Sequence, residues 1–576
     1  MSNKWVPQSV LALKNYSRQK FVSDLIAGVT VGFVALPLAM AFAIASGVPP
    51  QAGLYCAVVA GFLISALGGS RVQIGGPTGA FVIVVAGIVA RYGIDGLFMC
   101  TGIAGVMLVV MGATGLGTAV KFIPRPVVLG FTNGIAVLIA STQLKDFFGL
   151  RVDHMPGDFL GRMEAVVHNF RTLSVPETSL SVLALALILA FRRHVKRVPG
   201  YIVALFVGTA LVWIFRLPVE TIGSQFGGIP SGFPAIKVPQ FRLDLVRPLI
   251  APAMTVAMLG AIESLMSAVV ADRMTGDKHK PNVELIGQGI ANIISPLFGG
   301  LPATGAIART ATNIRSGAQT PVAGMVHALT LLAVLLFAAP YAKFIPLSAL
   351  AAILLVVSYN MGEWQEIPSL LRLSRLEIGT WLVTFLLTVF ADLTVAVEAG
   401  MILAALVFIR KVTATTTITP VTDEYVEEGR VHILQDKEIP PYVSIYRIHG
   451  PFLFGAAEKI ADLIGAVPQL PPILVLRLRN MTAIDATGLK ALEDLADATR
   501  AAGRRLILCG AREQPARLME QAEFEQHVGR QNICANVAEA LARAKALYGE
   551  IGPRTTSQWT RRSTDKKDQA VATPRE

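Results

Sequence analysis

Nine apolar runs, near 24–46, 52–68, 95–118, 124–148, 178–193, 199–215, 248–271, 320–339 and 344–361, crowd the first 411 residues of this chain. Each approaches the roughly 20 residues that cross a bilayer as a helix, and so many runs cannot share one water-soluble core. The stretch from Thr380 to Ile409 is too long for one crossing and carries Asp392 near its middle, which predicts a tight hairpin. The segment 282–298 predicts a further crossing. Two more, 78–90 and 303–316, each start just after a proline and predict helices too short to span alone. The expectation is a polytopic α-helical membrane protein with 14 transmembrane elements.

Charge divides the chain between two solvents. Only 16% of the 576 residues are charged, yet residues 413–576 hold 42 of the 90 Asp, Glu, Lys and Arg. Those 42 are 21 basic and 21 acidic, so the formal +12 comes entirely from the apolar front, as 30 basic minus 18 acidic. Its basic residues cluster in the N-terminal arm (Lys4, Lys14, Arg18, Lys20), the 192–197 loop, the loop with Arg273, Lys278 and Lys280, and at Arg410 and Lys411. An even number of crossings puts these on one side, which the positive-inside rule makes cytoplasmic, with both termini. The lipid bilayer is therefore the expected partner, and nucleic acid is not, since that would need a soluble basic face. The N-terminus has no secretory-signal pattern. Cys56, Cys100, Cys509 and Cys534 lack metal-site or disulfide spacing and are expected to be reduced. With no metal-ligand cluster, phosphate loop or nucleophile and base pair, the reading is not that of an enzyme.

Domain limits follow from the shifts in composition: an arm over 1–23, a membrane domain over 24–411, a polar linker over 412–430, a small domain over 431–550 and a disordered tail over 551–576. In the small domain, 473–479 (ILVLRLR) predicts a buried strand, the segment closing at Gly503 a helix, and 504–510 the next strand, hence an α/β fold.

Two short sequences inside the membrane domain match each other, GGPTGA at 75–80 and GGLPATGA at 299–306. Aligned on Thr-Gly-Ala they are 226 residues apart, and the same offset carries Pro37 onto Glu263, the acid deep in the 248–271 run. A duplicated half with two broken helices is the sequence pointer to a midplane site in transporters. A helix that starts within the membrane offers unpaired N–H groups and the positive end of its dipole, which suit an anion. Thr78, Gly79 and Ala80 are expected to supply one such end, and Thr304, Gly305 and Ala306 the other, with the threonine hydroxyls as further donors. Arg309, one turn into the second helix, adds a fixed charge, and a charge at that depth is expected to serve function. Alternatively Arg309 is a structural partner of Glu263. Glu263 has three open roles: counter-charge to Arg309, proton carrier, or part of a cation site. His327 is expected to be packed and hydrogen-bonded.

These segments resemble the SulP anion permeases, relatives of the animal sulfate and anion exchangers and of prestin. The likeness lies in LPLAMAFAIASGVPPQAGLY in the first two runs, GGPTGA, the motif from Glu284 to Pro321, and AIDATGLKAL at 483–492, which is similar to a STAS domain. The resemblance implies two inverted seven-helix repeats (about 24–216 and 248–411) forming core and gate domains, an elevator-like motion, a homodimer and a bacterial inner-membrane location. By position, Phe42, Phe81, Ala308 and Arg309 match residues lining the family's anion pocket, and Glu263 an acidic position used for ion coupling. Many relatives have Gln where this chain has Leu38. The implied function is secondary active transport of a small inorganic anion, sulfate or bicarbonate, in exchange for chloride or coupled to protons or sodium. No other cofactor is expected. A retained Arg309 favours sodium-independent transport, because some sodium-using bicarbonate carriers are uncharged there. Two rival readings are a dicarboxylate (succinate or fumarate) proton symporter, and a non-transporting sensor or scaffold that signals through the STAS domain and its cytoplasmic partners. In the STAS loop, Thr487 beside Asp485 is either a phosphate acceptor or a helix cap.

Overall fold

The computed structural model describes residues 5–14, 16–118, 124–152, 155–194, 199–236, 242–391, 393–421 and 439–551. The chain divides into two compact units, Met1–Ala404 and Ala405–Glu576.

The first unit is helical. Its first half contains α1 (Arg18–Ala45), α2 (Pro50–Leu67), a two-residue strand β1 (Gly75–Gly76), α3 (Gly79–Ala113), α4 (Arg125–Phe148), α5 (Val175–His194) and α6 (Gly200–Phe215). Its second half contains α7 (Leu243–Thr275), α8 (Pro281–Ile294), β2 (Thr304–Gly305), α9 (Ile307–Arg315), α10 (Val322–Phe337), α11 (Leu347–Met361), α12 (Arg375–Phe390) and α13 (Leu393–Thr415), which ends in the second unit. Seven described helices are long and apolar enough to cross a membrane.

Most apolar runs became helices within a few residues of their expected limits. The expected pieces 78–90 and 95–118 are one helix, α3, bent at Gly93, where φ is 71° and ψ −174°. A left-handed φ suits glycine, so the bend falls where a side chain would resist it. The arm is also partly structured: a short helix covers Gln8–Leu13, and α1 starts at Arg18, six residues before the apolar run. Asp24, at the head of that run, is buried, and its carboxylate accepts from the backbone N–H groups of Gln319 (2.7 Å) and Thr320 (3.1 Å) ahead of α10. The 380–409 stretch spans parts of α12 and α13, and Asp392 lies outside the described residues.

Packing repeats between the halves. Helix α1 lies on α10, and its counterpart α7 lies on α3; α4 lies on α12, and its counterpart α11 lies on α5. The two strands pair antiparallel, Gly75 with Gly305 and Gly76 with Thr304. The halves therefore meet where both chains are briefly unwound, and α3 and α9 begin there.

The second unit is an α/β domain. Its sheet has the order β3 (Thr417–Pro420), β4 (Val443–Phe452), β5 (Ile473–Ile484), β6 (Arg505–Cys509), β7 (Ile533–Cys534), parallel except at the β3–β4 pair. The expected strand, helix and strand are β5, α14 (Ala486–Ala501) and β6. The linker expected at 412–430 contributes β3 instead, since TITP includes β-branched residues suited to an edge strand. Residues 422–438 and the tail from 552 lie outside the description. Asp485, rather than Thr487, caps α14: one carboxylate oxygen accepts from Gly488 N–H (2.8 Å) and the other from Phe454 N–H (2.9 Å). Thr487 is exposed in the first turn. Cys509 and Cys534 are free and sit opposite each other on β6 and β7, and burial pushes the Cys509 thiol up to about 11.

Candidate functional site

Unwound backbone is costly at membrane depth unless every N–H and C=O finds a partner within the protein. The 284–321 motif supplies those partners. Asn292 on α8 brackets one residue of the loop before β2, its side-chain NH2 donating to Ala303 O (2.8 Å) and its side-chain carbonyl accepting from Ala303 N–H (2.8 Å). Asn313 donates to Val72 O (2.9 Å), and Thr310 accepts from Ile74 N–H (3.0 Å), so α9 secures the strand of the other half. Glu284, 1% exposed, accepts from Gly69 N–H (2.8 Å), Ser70 N–H (3.1 Å), Ser264 Oγ (3.0 Å) and Gln288 Nε2 (3.1 Å). One carboxylate thus ties α7 and α8 to the turn after α2. Reasoning from sequence gave Glu284 no role, although an acid within a predicted span was itself a signal.

A cavity of about 280 Å³ lies in front of the two helix starts. Val34, Leu38 and Phe42 of α1, Leu259, Glu263 and Met266 of α7, Thr78–Ala80 and Ala306–Arg309 line one side; Val127, Phe131, Thr132 and Ile135 of α4, Tyr201 of α6, and Asn360, Met361 and Glu363 line the other. Leu38 adds to an apolar wall. A Cβ at Gly79 would fall 3.2 to 3.4 Å from Ile139, Phe42 and Met361, so a bare backbone is what lets both walls come this close there.

Of the residues expected at the site, Phe42, Thr78, Gly79, Ala80, Glu263, Ala306, Ala308 and Arg309 line this cavity, whereas Phe81, Thr304 and Gly305 do not. The Phe81 ring packs toward Gly260 of α7. Thr304 and Gly305 form β2 rather than a helix start, because the second loop is longer and strand pairing, not identity of the triplets, sets the register. The helices begin after Thr78 and Ala306, an offset of 228, which carries Pro37 onto Leu265 and removes its coincidence with Glu263. The threonine hydroxyls both have acceptors within the protein. Thr78 Oγ1 donates to Glu263 Oε2 (2.7 Å), and Thr304 Oγ1 to Gly260 O (2.8 Å).

The remaining donors are backbone N–H groups in the first turns of α3 and α9, which helical geometry leaves without an intrahelical acceptor. Arg309, 3% exposed, reaches back across the ribbon: Nη2 donates to Pro77 O, while Nη1 has no hydrogen-bond partner among the described residues. Gly76 allows this approach, with φ 145° and a Cβ position only 2.8 Å from Nη1. Glu263 and Arg309 line the same cavity without an ion pair within 4.0 Å, so whatever pairing they have acts across space and not by direct contact. His327 is fully buried and packed as expected, but neither ring nitrogen has a hydrogen-bond partner among the described residues.

A multi-pass membrane domain with two broken helices facing one cavity, joined to a small α/β domain, is the class these features define. Residues 21–384 match the model of the sulfate permease family and residues 435–540 that of the STAS domain. The chain belongs to the sulfate permease family. It is 42% identical over 522 residues to the putative sulfate transporter YvdB of Bacillus subtilis, covering 90% of this chain and 97% of that one. It is 30% identical over 559 residues to the bicarbonate transporter BicA of a Picosynechococcus, covering 93% and 96%. Among solved structures, murine Slc26a9, an anion transporter captured inward-facing, superposes with a TM-score of 0.84 at 18% identity over 94% of both chains. The transmembrane domain of a cyanobacterial BicA gives 0.59 at 32% identity, covering 68% of this chain and 98% of that one.

Proposed function

We propose that this protein is a secondary active transporter of a small inorganic anion, sulfate or bicarbonate. The observation that carries the reading is Arg309: a buried cation with one donor left uncommitted among the described residues, lining the cavity onto which two helix N-termini open. The anion sits between these ends and the α4 and α11 wall. Its relatives named as sulfate and bicarbonate transporters support the substrate class.

Glu263 serves as the coupling group. A carboxylate beside an anion site disfavours anion binding while it is charged, so neutralisation by a proton or a sodium ion favours loading. Its bond to Thr78 ties that event to the start of α3. Transport proceeds by displacement of a core (α1–α3 and α7–α10) against a gate (α4–α6 and α11–α13) within a homodimer. The location is a bacterial inner membrane with both termini in the cytoplasm, and the cavity mouth, rimmed by the exposed Asn360 and Glu363, then faces the cytoplasm. Thr487, exposed and uninvolved in the cap, is a regulatory phosphate acceptor in the STAS domain.

Proteoliposomes loaded separately with sulfate, bicarbonate, chloride or succinate, under an imposed proton or sodium gradient, test the reading. Saturable flux of sulfate or bicarbonate is expected; a preparation that moves no labelled anion under any gradient would instead be a sensor or scaffold.

A further inference from the structure

Besides the anion cavity, the membrane unit holds a second enclosed volume of about 150 Å³. Phe33 and Met40 of α1, Leu54 of α2, Phe206 of α6, Leu335 of α10 and Ile345 ahead of α11 wall it. Thr209 of α6 is also there, but its hydroxyl already donates to Leu205 O (2.7 Å). An apolar cavity of this size stays free of water and takes up hydrocarbon. Hydrocarbon is also what surrounds a membrane domain. Phe33, Phe206 and Tyr341, all lining residues, are exposed on the outside of the unit, so the volume opens toward acyl chains.

A cation stands at one end. The turn Ala339–Phe344 closes the cavity, with Tyr341 and Ala342 in its lining. Lys343 of this turn is exposed, lies over the Phe344 ring with Nζ 5.0 Å from the centroid, and has no carboxylate within 4.0 Å among the described residues. The surrounding elements do not neutralise it. Segment 221–228, where Gly223 abuts Lys343, carries no charged residue, nor do α2, α6 and α11. In α1 the charges end at Asp24, at the far end of that helix, and α10 holds only the buried His327. Arg216 and Glu220, in the loop after α6, add one charge of each sign. Lys343 is therefore the surplus.

We propose that this is a lipid site, in which an anionic phospholipid places an acyl chain in the cavity and its phosphate on Lys343. A lysine whose stem packs on an aromatic ring while its head reaches the polar layer suits that role. On the division of core and gate proposed above, α1, α2 and α10 belong to one body and α6 to the other, so the chain lies across the joint between them. The site rests on the apolar cavity and its rim charge, whichever anion the protein carries.

The test uses full-length protein in phosphatidylcholine nanodiscs doped with phosphatidylglycerol that carries a diazirine on one acyl chain. After illumination, labelled peptides are mapped by mass spectrometry. Label should fall on 334–345 and 205–209, saturate with the doped fraction, and be displaced by unlabelled phosphatidylglycerol. Ala342→Phe, which fills the cavity, should remove most of it. Lys343→Gln leaves the cavity intact and should raise the half-saturating fraction roughly fivefold, the effect of one lysine on an anionic lipid. This surface change keeps the test valid if the filled variant does not fold. Label that follows lipid content without saturating and ignores both variants would mean bulk lipid only and overturn the site. No label on these peptides would mean that something else, such as a second copy of the chain, covers this face, and would overturn it equally.

Discussion

Arg309→Gln should fold as the wild type does and lose roughly 10- to 100-fold of its sulfate or bicarbonate uptake, the scale of a hydrogen bond to a charged group. Burying a cation is costly, so removing it need not weaken the fold; what disappears is the only fixed positive charge lining the cavity among the described residues. The Pro77 carbonyl that Nη2 engages can be met by the glutamine amide, which makes Gln a gentler probe than Ala. Initial rates in proteoliposomes, with monodispersity and thermal unfolding as folding controls, decide the matter. Undiminished uptake would remove Arg309 from the site.

Glu284→Ala should fail in the opposite way, through the fold. Four donors on three segments converge on this one carboxylate: two backbone N–H groups of the turn after α2, a serine of α7 and a glutamine of α8. Truncation strands all four in a place water does not reach, at a cost of about 3–5 kcal/mol by analogy with breaking a buried charged network. A large fall in the thermal unfolding temperature in detergent, or aggregation on size exclusion, is expected. Glu284→Gln, which keeps an acceptor, should fall between. An unchanged unfolding temperature would show that the network does not hold the unwound segments.

The contrast between these two residues marks what the sequence could and could not announce. Spans were legible because burial in lipid demands long apolar runs, and the two half-helices because a proline starts each. The register between the halves was not. Matching Thr-Gly-Ala to itself placed Thr304 and Gly305 at a helix start, whereas the longer loop before them moves both into the paired strand. Thr78 does hold the cap position, but its hydroxyl goes to Glu263, a partner supplied by α7 that local pattern cannot foresee. The α4 and α11 wall was invisible for a related reason. Phe131, Tyr201, Asn360 and Glu363 belong to no motif and come together only through helix packing. In the STAS domain the strand, helix and strand read cleanly from periodicity, while β3 was hidden in a stretch whose polarity suggested a linker.

The central claim is that the anion lies between the starts of α3 and α9, beside Arg309. An anomalous difference map from crystals grown in selenate, if sulfate is transported, or in bromide, if a monoanion is, tests it directly. The account expects a peak within hydrogen-bonding distance of the backbone N–H groups that open α3 and α9, next to the Arg309 guanidinium. A transported anion bound elsewhere, with this cavity empty, would contradict it.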